Sequence, residues 1–367
     1  MKNKIRSELP DLFLSKSGKR INTYAAWTTQ RKKLYNTIIN IEYGGLPTTP
    51  SSTYAEELHS TTFKNYGGVR IVSYRIVTGP DHPFHFYMRL LIPSEKKEPF
   101  PVVLTGDACW LYATDEVIGE VIKRGNIFAQ FNRVEIVPDN YRTERNSGLY
   151  LAYPNMSYGA LAAWAWGYHR CVDALLQMDF VDRSKITITG HSRGGKTVLL
   201  AGATDERIAL TCANNSGAGG AGCYRVQGEK SETLADLMRA IPYWFGPEMK
   251  QYIGREEKLP FDQHFLKALV APRPLLTTEA LGDLWANPQG TLQTHWAARE
   301  VYHFLGAEDK IGIWFRKGGH EHGIGDWKIF LDFMDWHFHG KKPHINFNPN
   351  PFPKMRRAFS WKAPKQV

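Results

Sequence analysis

Gly190-His191-Ser192-Arg193-Gly194 is a G-x-S-x-G pentapeptide set between the apolar run Ile186 to Thr189 and a helical run opened by Gly195 and Lys196. A strand-to-helix turn this tight forces unusual backbone angles on the serine, and only small residues at the glycine positions let the backbones pass. The hydroxyl then stands clear of the sheet at a helix N-terminus, where N–H groups can stabilise an oxyanion. That is the chemistry of nucleophilic acyl transfer. It requires an acid and a base later in the chain, in the order Ser, Asp or Glu, His. Asp283 follows the apolar strand Pro274 to Ala280, and His320 follows the strand Ile311 to Phe315 in the glycine-rich loop Lys317-Gly318-Gly319-His320-Glu321-His322-Gly323. His322 rivals His320 as base, and Glu279 is the fallback acid. The bland alternative is a glycine-rich turn whose serine merely caps the helix.

Other chemistries find weaker support. His320 and His322 with Asp326 could form a zinc set, but the firmer H-E-x-x-H spacing is absent, so no metal is expected. Asn214 to Gly220 lacks the G-K-[ST] ending of a phosphate loop. Gly194-Gly195-Lys196-Thr197 lacks the first glycine at Walker spacing, because position 189 is Thr. Cys109, Cys171, Cys212 and Cys223 show no CxxC spacing and make no disulfide scaffold.

The elements that must position these residues read as an α/β chain. Its 367 residues are 43 % hydrophobic and 22 % charged, enough core for one large domain or two of ordinary size. The first 65 residues read as an N-terminal arm, with one helix near Trp27 to Ile41 and a turn-rich end from Gly44 to Ser52. Strands follow at Gly68 to Val77, Phe84 to Ile92 and Pro101 to Gly106, an antiparallel opening that feeds a buried strand. Strand and helix then alternate: Ile127 to Phe131, Tyr158 to Met178, Ile186 to Thr189, Gly195 to Ala203, Ile208 to Ala213, with Trp327 to Trp336 as closing helix. Such alternation predicts a mostly parallel sheet covered on both faces. Nucleophile, acid and base are drawn from strands spread over this region, so residues 66–340 form a single catalytic domain, 227–258 a lid or substrate wall, and 341–367 a tail.

The net charge of +10 favours acidic partners in general. No nucleic-acid motif accompanies it, and neither nucleic acid nor membrane is expected as a partner. No hydrophobic segment of a secretory signal is present near Met1, which reads as cytoplasmic unless a signal has been removed. A monomer is the default oligomeric state.

Gly190 to Lys196, Ala213 to Gly220, Asp283-Leu284-Trp285-Ala286-Asn287-Pro288 and the Gly319-His320 loop with Asp326-Trp327 together resemble the glucuronoyl esterases, carbohydrate esterase family 15. The resemblance runs from about Leu9 to the helix ending near Trp336. It implies an α/β-hydrolase fold, a three-layer sandwich with helices on both faces of a mostly parallel central sheet. It also implies hydrolysis, without a cofactor, of the ester between 4-O-methyl-glucuronic acid branches of xylan and lignin alcohols. By this resemblance Ser192 is the nucleophile, His320 the base and Asp283 the acid. Arg193 serves the oxyanion through side chain and backbone N–H, Lys196 holds sugar hydroxyls, Trp285 covers a sugar ring, and Glu232 is a polar sugar-binding residue. The plainer readings are a scaffold ion pair for Arg193 or Lys196, core packing for Trp285 and a solvated helix charge for Glu232.

Two departures matter. Fungal members carry the triad acid as Glu at the position of Asn215, and many bacterial members place it after the later strand; an amide cannot stabilise an imidazolium, so the acid falls to Asp283. Fungal members also carry a disulfide between the positions of His191 and Glu321, and both halves are missing here, which is consistent with a reduced compartment and supports His320 over His322. The implied partner is a glucuronic acid ester or a glucuronoxylan-derived oligosaccharide. The alternatives are an acetyl xylan or general carbohydrate acyl esterase on the same fold, and a degenerate hydrolase that only binds acidic glycans.

Overall fold

Burial along the strands separates a closed centre from an open edge. In the computed structural model, which describes residues 4–5, 7–15, 17–79, 84–94, 99–110, 113–140 and 145–366, the main sheet contains β1 (Thr53–Phe63), β2 (Val69–Thr78), β3 (Phe84–Pro93), β4 (Phe100–Thr105), β5 (Ile127–Phe131), β6 (Val181–His191), β7 (Leu210–Asn214), β8 (Leu275–Ala280) and β9 (Ile311–Arg316). Strands β4, β7 and β8 are buried at every residue, as central parallel strands covered on both faces must be. The order is β9-β8-β7-β6-β4-β5-β3-β2-β1, parallel from β9 to β5 and antiparallel from β5 to β1.

Alternate residues of the strands feed cores on opposite faces. Val102 and Leu104 of β4 join the larger core, with α1 (Tyr24–Tyr43), α3 (Ala160–Leu175), α4 (Arg193–Thr204) and α5 (Pro288–Phe304), while Val103 joins α2 (Asp115–Lys123) and α6 (Ile324–His339) on the other face. The result is the three-layer α/β-hydrolase architecture. Helix α3 is buried along nearly its whole length and begins at Ala160, two residues later than the pattern predicts, because Gly159 takes the extended N-cap position.

Several elements differ from expectation. Residues 53–63 of the N-terminal arm form the edge strand of the sheet itself; Glu56, Glu57 and His59 hide the strand period, and charged edges of this kind resist pairing with other chains. Helices α2 and α5 stand where the pattern predicts no helix. Asn287 caps α5 and Pro288 starts it, a pair of helix-start signals directly after Asp283 and Trp285. The expected wall at 227–258 is a short helix, Leu234–Ala240, and a series of 3₁₀ turns that bury Leu237, Trp244, Phe245 and Met249. The tail returns to the N-terminal arm, where Ala358 O accepts from Leu9 N at 2.8 Å and Trp361 Nε1 donates to Leu9 O at 2.8 Å. All four cysteines are free thiols. Among the described residues no helix is long and apolar enough to cross a membrane.

Candidate active site

The parallel strands end at one rim of the sheet, where open α/β folds place their ligands. Strand β6 ends at His191 and α4 starts at Arg193, so Ser192 alone makes the turn, with φ 56° and ψ −120°. A Cβ on Gly190 would come within 2.6 Å of Gly194 O, which is why a glycine is required there. The strained serine is tied to the next strand by its N–H, which donates to Asn214 O at 2.9 Å. Asp107, past the end of β4, lies beneath the turn. Its buried carboxylate accepts from His191 N at 2.8 Å and pairs with the fully buried Arg133.

His320 connects Ser192 to a carboxylate. Its Nε2 lies 2.9 Å from Ser192 Oγ, and its Nδ1 lies 2.5 Å from Asp283 Oδ2. A carboxylate only accepts, so Nδ1 carries the proton and Nε2 is free to accept the one on Ser192. Asp283 is buried while His320 stays open to solvent on one side. Glu279 lies on β8, fully buried, and makes no hydrogen bond to His320; burial pushes its carboxyl up to about 8.

The two histidines of the His-x-His motif go to different places. His322 is buried against the Trp327 ring, 4.9 Å away, and stacks on His191 at 5.6 Å, and burial lowers its basicity well below the ordinary imidazole range. The His320 loop is clamped by Arg316, whose Nε reaches both oxygens of Asp326 at 2.9 Å and whose terminal nitrogens reach Gly319 O at 3.2 Å and Glu321 Oε1 at 3.0 Å.

Arg193, the residue after the serine, is held by an acid and two indoles. Its guanidinium donates to Asp139 Oδ2 at 2.7 Å and lies between the Trp110 and Trp244 rings, 5.0 and 4.8 Å from their centroids. Asp139 also accepts from Tyr243 Oη at 2.8 Å and Trp244 Nε1 at 3.0 Å. Arg193 Nε is buried with no hydrogen-bond partner, and the backbone N–H of Arg193, first in α4, donates to no group among the described residues. Two donors of the residue that follows Ser192 therefore lack an acceptor among the described residues.

Lys196, one turn into α4, is buried and donates to Ser216 O at 2.7 Å, Ala218 O at 2.5 Å and Glu232 Oε2 at 2.8 Å. Its three donors are thus engaged by the protein, whereas Glu232 Oε1 accepts no hydrogen bond from the described residues. Glu232 N donates to Trp285 O at 3.0 Å, and the Trp285 side chain projects from the same loop as Asp283, 51 % exposed. That much exposure in a tryptophan leaves an indole face open beside the site.

A family model described as glucuronyl esterase of fungi matches residues 77–306, which spans the elbow and the acid. The chain belongs to the glucuronoyl esterase family. The family's 4-O-methyl-glucuronoyl methylesterase 1 from Wolfiporia cocos is 30 % identical over 86 % of this chain and 76 % of its own length. Carbohydrate esterase MZ0003, from an unknown prokaryotic organism, is 38 % identical over 50 % of this chain, and the match spans 45 % of that protein. Among solved structures, a carbohydrate esterase family 15 glucuronoyl esterase from Caldicellulosiruptor kristjansonii superposes with a TM-score of 0.84 at 29 % identity, covering 98 % of both chains.

Within the glucuronoyl esterase frame, the structure brings Ser192, His320 and Asp283 together, sets Arg193 beside them, and gathers Lys196, Glu232 and Trp285 at one flank. Asp139, Trp110 and Trp244 hold Arg193, and Arg316 holds the His320 loop, and all four lie outside any motif of the sequence. The positions where fungal members carry a disulfide are used otherwise, since His191 packs under His320 and Glu321 pairs with Arg316.

Proposed function

We propose that this protein is a serine esterase that hydrolyses esters of glucuronic acid or 4-O-methyl-glucuronic acid, as in lignin–glucuronoxylan linkages, through an acyl-enzyme. The observation that carries the reading is the unbroken chain of hydrogen bonds from Ser192 Oγ through His320 to Asp283 Oδ2. Ser192 Oγ attacks the uronate carbonyl carbon as its proton passes to His320 Nε2, and Asp283 holds the imidazole in the required tautomer. The carbonyl oxygen becomes an oxyanion that the N–H and guanidinium of Arg193 stabilise. His320 then protonates the leaving alcohol as the C–O bond breaks. Water, deprotonated by His320, attacks the acyl-enzyme, and Ser192 recovers its proton as the free uronic acid leaves.

Substrate selection falls to the flank of the site. The Trp285 indole face suits the apolar face of a pyranose, and Glu232 Oε1 suits a sugar hydroxyl, with Lys196 fixing the carboxylate from below. A linked aryl or alkyl alcohol carries no charge for this flank to read. All these groups come from one chain, so a monomer holds a complete site.

The test is turnover of methyl and benzyl glucuronate beside an acetylated xyloside. The proposal expects the uronate esters to be hydrolysed faster and Ser192→Ala to abolish turnover. Uronate-ester hydrolysis that survives Ser192→Ala overturns it, and a preference for the acetyl ester transfers the reading to an acetyl xylan esterase.

A further inference from the structure

Three loops at the carboxyl end of the sheet converge on a side chain that takes no part in the reaction. Asn215, one residue beyond β7, is 1 % exposed. Its Nδ2 donates to Asp283 Oδ2 at 3.0 Å, the oxygen that receives His320 Nδ1, and lies 3.4 Å from Gly319 O, next to His320 in the chain. Its Oδ1 accepts from Ala280 N at 3.0 Å, where β8 gives way to the acid loop, and its own N–H donates to Thr278 O at 2.9 Å. The residue has φ 42°, a left-handed conformation that asparagine tolerates better than most side chains.

The backbone angle alone explains an asparagine or a glycine, but it does not explain an amide nitrogen aimed at the acid. Asp283 is otherwise lightly held: among the described residues its second oxygen receives only Ala286 N, at 3.4 Å. Building on the esterase reading above, we propose that Asn215 is a positioning residue, whose amide fixes the Asp283 carboxylate in the plane of His320 and moderates the negative charge facing the imidazolium. A hydrogen bond from a neutral donor to a carboxylate is charge-assisted, and its direction sets which lone pair remains for the imidazole. The same side chain ties the acid loop to the base loop, so the distance between Asp283 and His320 depends on it. The ionisable groups around this pair include Glu279 from β8 and His191 from β6, both held toward their neutral forms by burial, and Arg316 from β9, which also pairs with Glu321 and Asp326.

Asn215→Gly relieves the backbone and deletes the amide. Asn215→Asp keeps the acceptor for Ala280 N and replaces the donor with a second carboxylate. In Asn215→Gly, kcat on methyl glucuronate should fall by roughly 10- to 100-fold with KM within about twofold, the effect of a misplaced catalytic group on an intact binding site. In Asn215→Asp, the acid limb of kcat/KM should also move up by about one pH unit, since added negative charge favours the imidazolium. The downfield proton resonance of His320 Nδ1–H, assigned by its loss in His320→Gln, should shift in Asn215→Asp. Wild-type kcat and an unmoved limb in both variants overturn the proposal. So does a loss of kcat that follows the melting temperature while the limb and the resonance stay in place, which is what a purely structural residue gives. The resonance is read without turnover, so it separates this proposal from the substrate assignment.

Discussion

The rings of His191 and His320 lie 4.6 Å apart, inclined by 46°, yet only His320 reaches Ser192. Burial, partly offset by the bond from His191 Nδ1 to Asn214 Oδ1, holds His191 down to about 4, and His322 behind it is held well below its ordinary value. The base therefore rests on two imidazoles that stay neutral while it gains a proton. A charged neighbour at that distance would oppose the imidazolium on which acyl transfer depends.

His191→Ala removes the ring under the base and leaves the backbone bond to Asp107. We expect kcat to fall about tenfold with KM unchanged, because a catalytic group that is free to tilt loses its near-attack geometry. Steady-state rates on methyl glucuronate check this, and an unchanged kcat shows that the stack does not support His320.

Asp283→Asn should lower kcat by about 10⁴-fold, the scale seen when an amide holds a catalytic histidine in the wrong tautomer. Glu279→Gln should leave kcat within a few-fold, because Glu279 makes no bond to His320. The reverse ranking would make Glu279 the acid.

Arg193→Lys keeps the positive charge but loses the planar group sandwiched between Trp110 and Trp244 and its unpartnered Nε. A drop in kcat of about 10²-fold is expected, near the low end for loss of one oxyanion donor, since the backbone N–H remains. Asp139→Asn should cost less, as Trp110 and Trp244 still flank the guanidinium. Equal losses in the two variants would show that the Asp139 carboxylate, and not the flanking rings, keeps the guanidinium in place.

The parts of this protein that were legible in the sequence are those whose residue types have few alternative uses. Gly190 and Gly194 around Ser192 mark an elbow because no larger residue fits, and the apolar runs of β4 to β9 mark buried parallel strands because both faces are covered. Asp283 and His320 were readable from their places just beyond late strands. The edge strand β1 was not, since exposure on both sides removes the period-two signal. Asp139, Trp110 and Trp244 lie far apart in the chain and meet only through the fold, so no local spacing announces them. The family resemblance alone puts Lys196 and Glu232 near the site, and nothing in their spacing signals that they bond to each other.

That ion pair makes a stability prediction. Lys196 and Glu232 are 3 % and 7 % exposed, so removing one charge strands the other in the interior. Glu232→Gln should destabilise the fold by roughly 3–5 kcal/mol in urea denaturation, and Lys196→Met with Glu232→Leu should restore part of that loss, since no lone charge remains. KM for the uronate ester should rise in both variants. A single variant as stable as wild type would mean that water reaches the pair.

Buried histidines outside the site set the acid side of stability. Burial holds His169 and His264 down to about 4 and His295 down to about 3. An unfolded imidazole titrates near 6.5, so between about pH 6.5 and these values the unfolded chain binds protons that the folded chain refuses. Stability supplied by these groups is complete above about pH 6.5 and is lost as pH falls toward 4. Each such group adds up to about 1.4 kcal/mol per pH unit to the slope. His295 is suited to isolating one of them, because its Nε2 meets Asn348 Oδ1 at 3.0 Å and a glutamine amide can serve the same acceptor. Other groups, such as Glu42 with its carboxyl raised to about 8, contribute slopes of their own, but these are common to both proteins and cancel in the comparison. Denaturant unfolding of wild type and His295→Gln from pH 7 to 4 should give a shallower decline in the variant by about one proton. Parallel curves would show that His295 is already protonated in the folded protein at the acid end.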